Sequence, residues 1–252
     1  MKLKTLRILH GVAGGLHFAQ GLAVLLLILT SKEANNDNWP LVQQGWTAPY
    51  KTWRYKLSSL LPVFPFLSAV NHFGSVGGAY YTHALASKTN PLRWGEYSLS
   101  AGVMLWIIAT LSGIVEVRTL VSLMILNVAL QWIGYMIEQH VARHGPRSKG
   151  LVGLLCIGFA LHVAIWVSIV TSFYTVLEEN NLKPPPAVYS VIWVMFVLFT
   201  SFGLVSAMYA LGVIKSFEAN ELSFLLLSLV SKSLLTWLVY FGVLKSGKRF
   251  VV

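Results

Sequence analysis

The chain has 252 residues, 56% of them hydrophobic and only 11% charged, with a mean hydropathy of +0.66, which excludes a soluble domain of this length. Its formal charge of +10 at pH 7 comes from bases scattered over the ends of apolar runs without forming a stripe. That pattern fits a membrane surface and argues against nucleic acid as a partner.

An apolar run of about 20 residues crosses the hydrocarbon core as a helix. Seven runs reach that length, at about 7–30, 57–86, 91–114, 117–141, 150–177, 187–214 and 218–246. The expected fold is therefore all-α: one domain over 1–252, a seven-transmembrane-helix bundle with a long ordered loop between the first two helices. The opening MKLKTLR has the basic flank of a signal sequence, but the run behind it is too long and lacks a small-residue cleavage site, so it is read as a retained first helix. On that helix His17 stands in GLHFAQG, with His10 seven residues earlier on the same face. The following connection holds Trp39, Trp46, Tyr50 and Trp53 with Pro40 and Pro49, which predicts an ordered cap or short hairpin whose aromatic rings anchor at the membrane interface.

The second run carries His72, four residues after Ser68. In the third, NPLRWGEYSLSAG, Pro91 can open the helix, which puts Glu96 more than a turn inside it. The fourth places Glu138 on one face with Asn127, Gln131 and Gly134, nearer its end, where water can reach it. Glu116, Glu178, Glu179, Glu218 and Glu221 are read as loop-edge residues. Aromatic residues recur on the last three runs: Trp166, Phe173, Trp193, Phe196, Phe199, Phe202 and Trp237. Most of these are packing or lipid-facing residues, with Trp166, Phe196 and Phe199 the candidates to line a slot for a flat polyene. The single Cys156 lies mid-helix and can form no internal disulfide.

The seventh run contains Lys232, at least two turns from either polar end. A lysine at the bilayer centre costs about 3 kcal/mol on the insertion scale, so something must compensate it. Ser228 and Thr236 share its face at helical spacing, and Glu96 is the best acid partner. The residues alone leave two readings open: a structural ion pair, with Lys232 or Arg93 as the base for Glu96, or conversion of the amine to a covalent cofactor bond. His17, His72 and the serines around Lys232 and Glu96 look like a polar cavity more than separate accidents. A metal site is disfavoured, because neither a thiolate nor an adjacent carboxylate completes a ligand set. No nucleophile and base stand at enzymatic spacing, so the chain is not read as an enzyme.

LHFAQG around His17, LSAVNH from Ser68 to His72, NPLRWGEYS around Glu96 and SLVSK from Ser228 to Lys232 resemble the motifs of the heliorhodopsins in order and approximate spacing, over nearly the whole chain. The resemblance implies that Lys232 binds all-trans-retinal as a protonated Schiff base, with Glu96 as its counterion. It implies that Ser228 replaces the aspartate usual in pumping rhodopsins, and that Ser68, His17 and His72 form a polar network on the cytoplasmic side. Tyr97, Ser100, Trp166, Phe196 and Phe199 would complete the retinal pocket. It further implies a homodimer in the cell membrane with a cytoplasmic N-terminus and an extracellular C-terminus. The positive-inside count alone ties at nine bases a side and tips that way only when Lys32, Lys51, Arg54 and Lys56 in the long connection are discounted. No further internal carboxylate is expected on the seventh helix, nor deep in the third, where Trp106, Ile107 and Ile108 run past. The expected function is thus a light sensor without ion pumping, acting on an unknown cytoplasmic signalling partner, with a light-gated proton or ion channel as the alternative.

Overall fold

The computed structural model describes residues 3–44, 49–76, 79–180 and 184–246. Trp46 and Lys183 lie outside the described residues, as do Lys2, Lys248 and Arg249 of the charge count and the side chain of Tyr50. The chain runs through α1 (Leu3–Thr30), the short α2 (Lys32–Asn35), strands β1 (Trp39–Gln44) and β2 (Pro49–Tyr55), a 3-10 turn (Leu57–Leu60), and α3 (Val63–Val76). It continues through α4 (Ala79–Ser87), α5 (Pro91–Leu111), α6 (Val117–His144), α7 (Leu151–Asn180), α8 (Pro186–Ala210) and α9 (Phe217–Val239), and ends in a π-helical turn (Tyr240–Leu244).

Five helices are each long and apolar enough to cross a membrane: Lys4–Thr30, Val117–His144, Leu151–Glu179, Pro186–Ala210 and Phe217–Leu244. The apolar run at 57–86 is divided between the 3-10 turn, α3 and α4, on either side of residues 77–78. α5 is 21 residues long and admits polar side chains on its buried face. Its start follows from local chemistry: Asn90 accepts a hydrogen bond from the Arg93 amide, and Pro91 occupies the first turn, where its missing N–H is no loss. Glu116 caps α6 by accepting from the Thr119 amide, and Ser216 caps α9 by accepting from the Ala219 amide.

The connection after α1 folds as an antiparallel hairpin, with Trp39 opposite Tyr55 and Leu41 opposite Trp53. Val42 donates to the Val115 carbonyl at 2.8 Å and the Tyr55 hydroxyl meets Thr110 Oγ1 at 2.8 Å, so the hairpin is tied to the ends of α5 and α6. Of the aromatics expected to anchor at the interface, Trp53 is exposed, whereas Trp39 is buried in the main core. That core includes Val24, Leu61, Phe64, Leu105, Ile107, Ile108, Leu235 and Val239, which fill the bundle on the hairpin side of Lys232.

Candidate functional site

Lys232 is buried on α9, 3% exposed, and two hydrogen bonds hold its amine. Nζ donates to Glu96 Oε1 at 2.9 Å and to Ser228 Oγ at 2.9 Å. Ser68, on α3, donates to the same Glu96 oxygen at 2.7 Å, which fixes the carboxylate from a third helix. The Tyr97 ring lies 5.0 Å under Nζ, and its hydroxyl donates to the Phe224 carbonyl. A charge pair this deep persists only where hydrogen bonds replace the lost solvent, and here both members have them.

The backbone beneath the lysine is pinned as well. The Lys232 carbonyl accepts from Thr236 Oγ1 at 2.8 Å and from Gln20 Nε2 at 3.2 Å, and Gln20 Oε1 accepts from Ser233. Gln20 escaped the reading of the sequence as a positioning residue, although it stands in the same GLHFAQG segment as His17.

His17 is fully buried and stacks on His72, with ring centroids 5.4 Å apart and planes within 6°. His72 Nδ1 lies 2.9 Å from His10 Nδ1. Both ring nitrogens of His17 lack a hydrogen-bond partner among the described residues. The three rings form a row from α1 to α3, and His17 and His72 lie within electrostatic reach of Lys232.

A cavity lined by Lys232 and Ser231 opens between α5, α6, α7 and α8. Tyr97, Ser100 and Phe199 line it. Trp166 and Phe196 stand one layer further out: Trp166 packs on Phe199 at 5.8 Å, and Phe196 packs on Trp166 at 5.3 Å and on His162 at 6.0 Å. Gln131, named from sequence only on the face of Glu138, also lines the cavity, as do His162, Thr200, Trp94 and Phe224, which were not singled out. The Ser100 hydroxyl is fully buried with no hydrogen-bond partner among the described residues. A buried lysine on the wall of a mostly apolar slot, beside a fixed carboxylate, fits an elongated apolar aldehyde.

Two carboxylates lie deeper than sequence placed them. Glu138 is 1% exposed and not solvated at its helix end, because Arg93 Nη2 donates to it at 2.7 Å, Trp94 Nε1 at 2.5 Å and the Asn90 amide at 3.2 Å. Glu221 is 1% exposed and not a loop-edge residue; Asn90 Nδ2 donates to it at 2.9 Å and it pairs with Arg93. The expectation of no further internal carboxylate on the seventh helix is corrected accordingly. Both acids are drawn inward because Arg93 is itself buried, its guanidinium 4.3 Å over the Phe224 ring and 4.9 Å from that of Trp94. Arg93 therefore serves these two acids, and Glu96 is left to Lys232.

The fold is that of the microbial rhodopsins. The rhodopsin of Exiguobacterium sibiricum is 14% identical, over 98% of this chain and 99% of that one, with a TM-score of 0.70. The light-driven proton-pump rhodopsin of Coccomyxa subellipsoidea is 12% identical, over 96% and 98%, with a TM-score of 0.71. The transmembrane domain of Salpingoeca rosetta rhodopsin phosphodiesterase is 13% identical, over 96% and 85%, also at 0.71. No curated protein matches the chain in sequence. The heliorhodopsin family model matches residues 6–244, nearly the whole chain, and this protein belongs to the heliorhodopsin family of retinal-binding membrane proteins.

Proposed function

We propose that this heliorhodopsin is a light sensor that moves no ion across the membrane, with all seven apolar runs spanning the bilayer and all-trans-retinal held covalently on Lys232. Retinal supplies light absorption and photoisomerisation. The protein supplies the charge: Glu96 stands 2.9 Å from the lysine nitrogen, Ser68 orients that carboxylate, and Ser228 gives the nitrogen a second, uncharged partner. Moving a proton at this nitrogen away from Glu96 separates charge in a low-dielectric interior, which stores energy for the later steps.

The observation that carries the absence of pumping is the asymmetry about Lys232. Transport needs groups that take up and return a proton on both sides of the lysine. On the side of the α9 N-terminus stand the histidine row, Glu138, Glu221 and Arg93. On the hairpin side the core is Val24, Ile28, Leu105, Ile107, Ile108, Leu235 and Val239, and no buried carboxylate occurs there among the described residues. The histidine row then faces the cytoplasm with the N-terminus, and the C-terminus is extracellular. Light changes the surface around α1, α5 and α9, where a cytoplasmic signalling partner would read it. No enzymatic step is assigned to the chain, and it works as a homodimer, a state that mass measurement of the solubilised protein tests. Illuminating liposomes that carry the protein tests the main reading: a long-lived spectral intermediate without transport supports it, and a sustained current or pH change shows a conductor or pump instead.

A further inference from the structure

The buried groups on the N-terminal side of Lys232 do not balance in charge as first counted. Lys232 and Glu96 neutralise one another. Arg93 is one cation against two carboxylates, Glu138 and Glu221, all three at most 4% exposed. A net charge left uncompensated at that depth is strongly destabilising, so one further proton must reside among these groups. Neither carboxylate is suited to carry it. Every polar atom set against their oxygens is a donor: Arg93, Trp94 Nε1 and the Asn90 amide on Glu138, and Arg93 and Asn90 Nδ2 on Glu221. Such surroundings favour the ionised form, and the acceptor that a Glu221 O–H would face, His10 Nε2 at 4.0 Å, lies beyond hydrogen-bond reach.

His10 is placed to carry it. It is 3% exposed, and its Nε2 faces Glu221 Oε2 at 4.0 Å. Its Nδ1 is 2.9 Å from His72 Nδ1, so a proton on His10 Nδ1 is donated to a neutral His72. Among the described residues, the charged or titratable groups around it are His72 from α3, Arg93 from α5 and Glu221 from α9, with Arg7 and His17 on its own helix. Arg93 and burial oppose the imidazolium, while Glu221, and the negative charge that deprotonation would leave, favour it.

We propose that His10 is a resident imidazolium, so that Arg93, His10, Glu138 and Glu221 form a charge-neutral network closing the N-terminal side of the bundle. Its consequence deepens the sensor reading and rests on it: a proton leaving the Lys232 nitrogen meets His17 and His72, then two fixed positive charges. It is held inside and is not released.

The test is made in the dark, so it does not depend on whether the protein signals or transports. Histidine-labelled protein is examined by ¹⁵N solid-state NMR at about pH 9, where a histidine of ordinary pKa near 6.5 is neutral. One doubly protonated ring is expected, and Glu221→Gln abolishes its signal although His10 is still present. A retained visible band after adding retinal shows that the variant is folded. Should that variant not fold, His10→Lys, which keeps the charge, is expected to give near-wild-type yield and melting temperature, and His10→Leu a clear loss of both. The proposal is overturned by the absence of an imidazolium in the wild type, by its persistence in Glu221→Gln, or by equal behaviour of the Lys and Leu variants. An infrared carboxylic-acid band in the dark that Glu138→Gln or Glu221→Gln removes would overturn it too.

Discussion

Gly134 sets two opposing effects against each other, and the structure decides between them. It lies inside α6, where glycine costs about 1 kcal/mol relative to alanine. On helix propensity alone, Gly134→Ala should stabilise the protein. An added Cβ, however, would overlap the six-membered ring of Trp94, which packs close against the α6 backbone at that point. The indole cannot yield cheaply. It is 4% exposed, its Nε1 is hydrogen-bonded to Glu138 at 2.5 Å, and it packs edge-on with Phe224, ring centroids 5.3 Å apart. Moving the ring loses a hydrogen bond to a charged group, worth about 1.5–3 kcal/mol, and overpacking adds about 1–3 kcal/mol. Net of the propensity gain, Gly134→Ala is expected to destabilise by about 1.5–5 kcal/mol, or roughly 3–20 °C in Tm for a chain of this size. Thermal unfolding in detergent measures it, with Gly153→Ala on α7 as the control, since a Cβ there meets nothing within 4 Å. The control should gain a few tenths to about 1 kcal/mol. If Gly134→Ala matches the control, the packing of Trp94 on α6 is not as described.

Arg93→Gln strands two buried carboxylates and is expected to lower stability by about 3–5 kcal/mol, read by the same melts; a loss below 1 kcal/mol would place those acids in water. Glu116 gives a pH test outside the membrane. Desolvation raises its pKa, but hydrogen bonds from Arg118 and Thr119 outweigh that and bring it down to about 2. A depressed folded pKa contributes stability above the unfolded value, near 4.3, that is lost as pH falls through the folded one. Glu116→Ala should therefore cost about 1 kcal/mol at pH 7, as loss of a helix cap does, and a wild-type advantage that did not shrink between about pH 5 and pH 2 would contradict the assignment. Glu96→Gln should move the absorption of the retinal-loaded protein to longer wavelength, because a charge 2.9 Å from the lysine nitrogen no longer stabilises the ground state; an unchanged spectrum would remove Glu96 as counterion.

Lys232 and Glu96 were legible in the sequence for one physical reason: charge inside an apolar run is so unfavourable that each instance demands a partner; Ser228 followed from its helical spacing to Lys232, and Ser68 entered through the family resemblance. Glu138 and Glu221 were misplaced by the same logic used too locally. Each lies near a helix end, where water is the default partner, and only the bundle reveals that Arg93, packed against both Trp94 and Phe224, draws both inward. Trp94 and Phe224 themselves carried no signal, since aromatic residues are common throughout such helices; Gly134, four residues before Glu138, was the one hint that a ring packs close to α6. Gln20 acts through the Lys232 carbonyl, a contact between helices 212 residues apart that no local pattern encodes. The hairpin was readable as an ordered cap from its aromatics, whereas the burial of Trp39 was not, because amphipathic rings suit a core and an interface equally well.

The central claim is that the Lys232 amine, on the wall of a mostly apolar cavity and paired with Glu96, is the attachment point of a retinal chromophore. Adding all-trans-retinal to purified apoprotein and recording the visible spectrum tests it most directly. A red-shifted band that is absent in Lys232→Ala is the predicted result. No band in the wild type, or a band that survives Lys232→Ala, would contradict it.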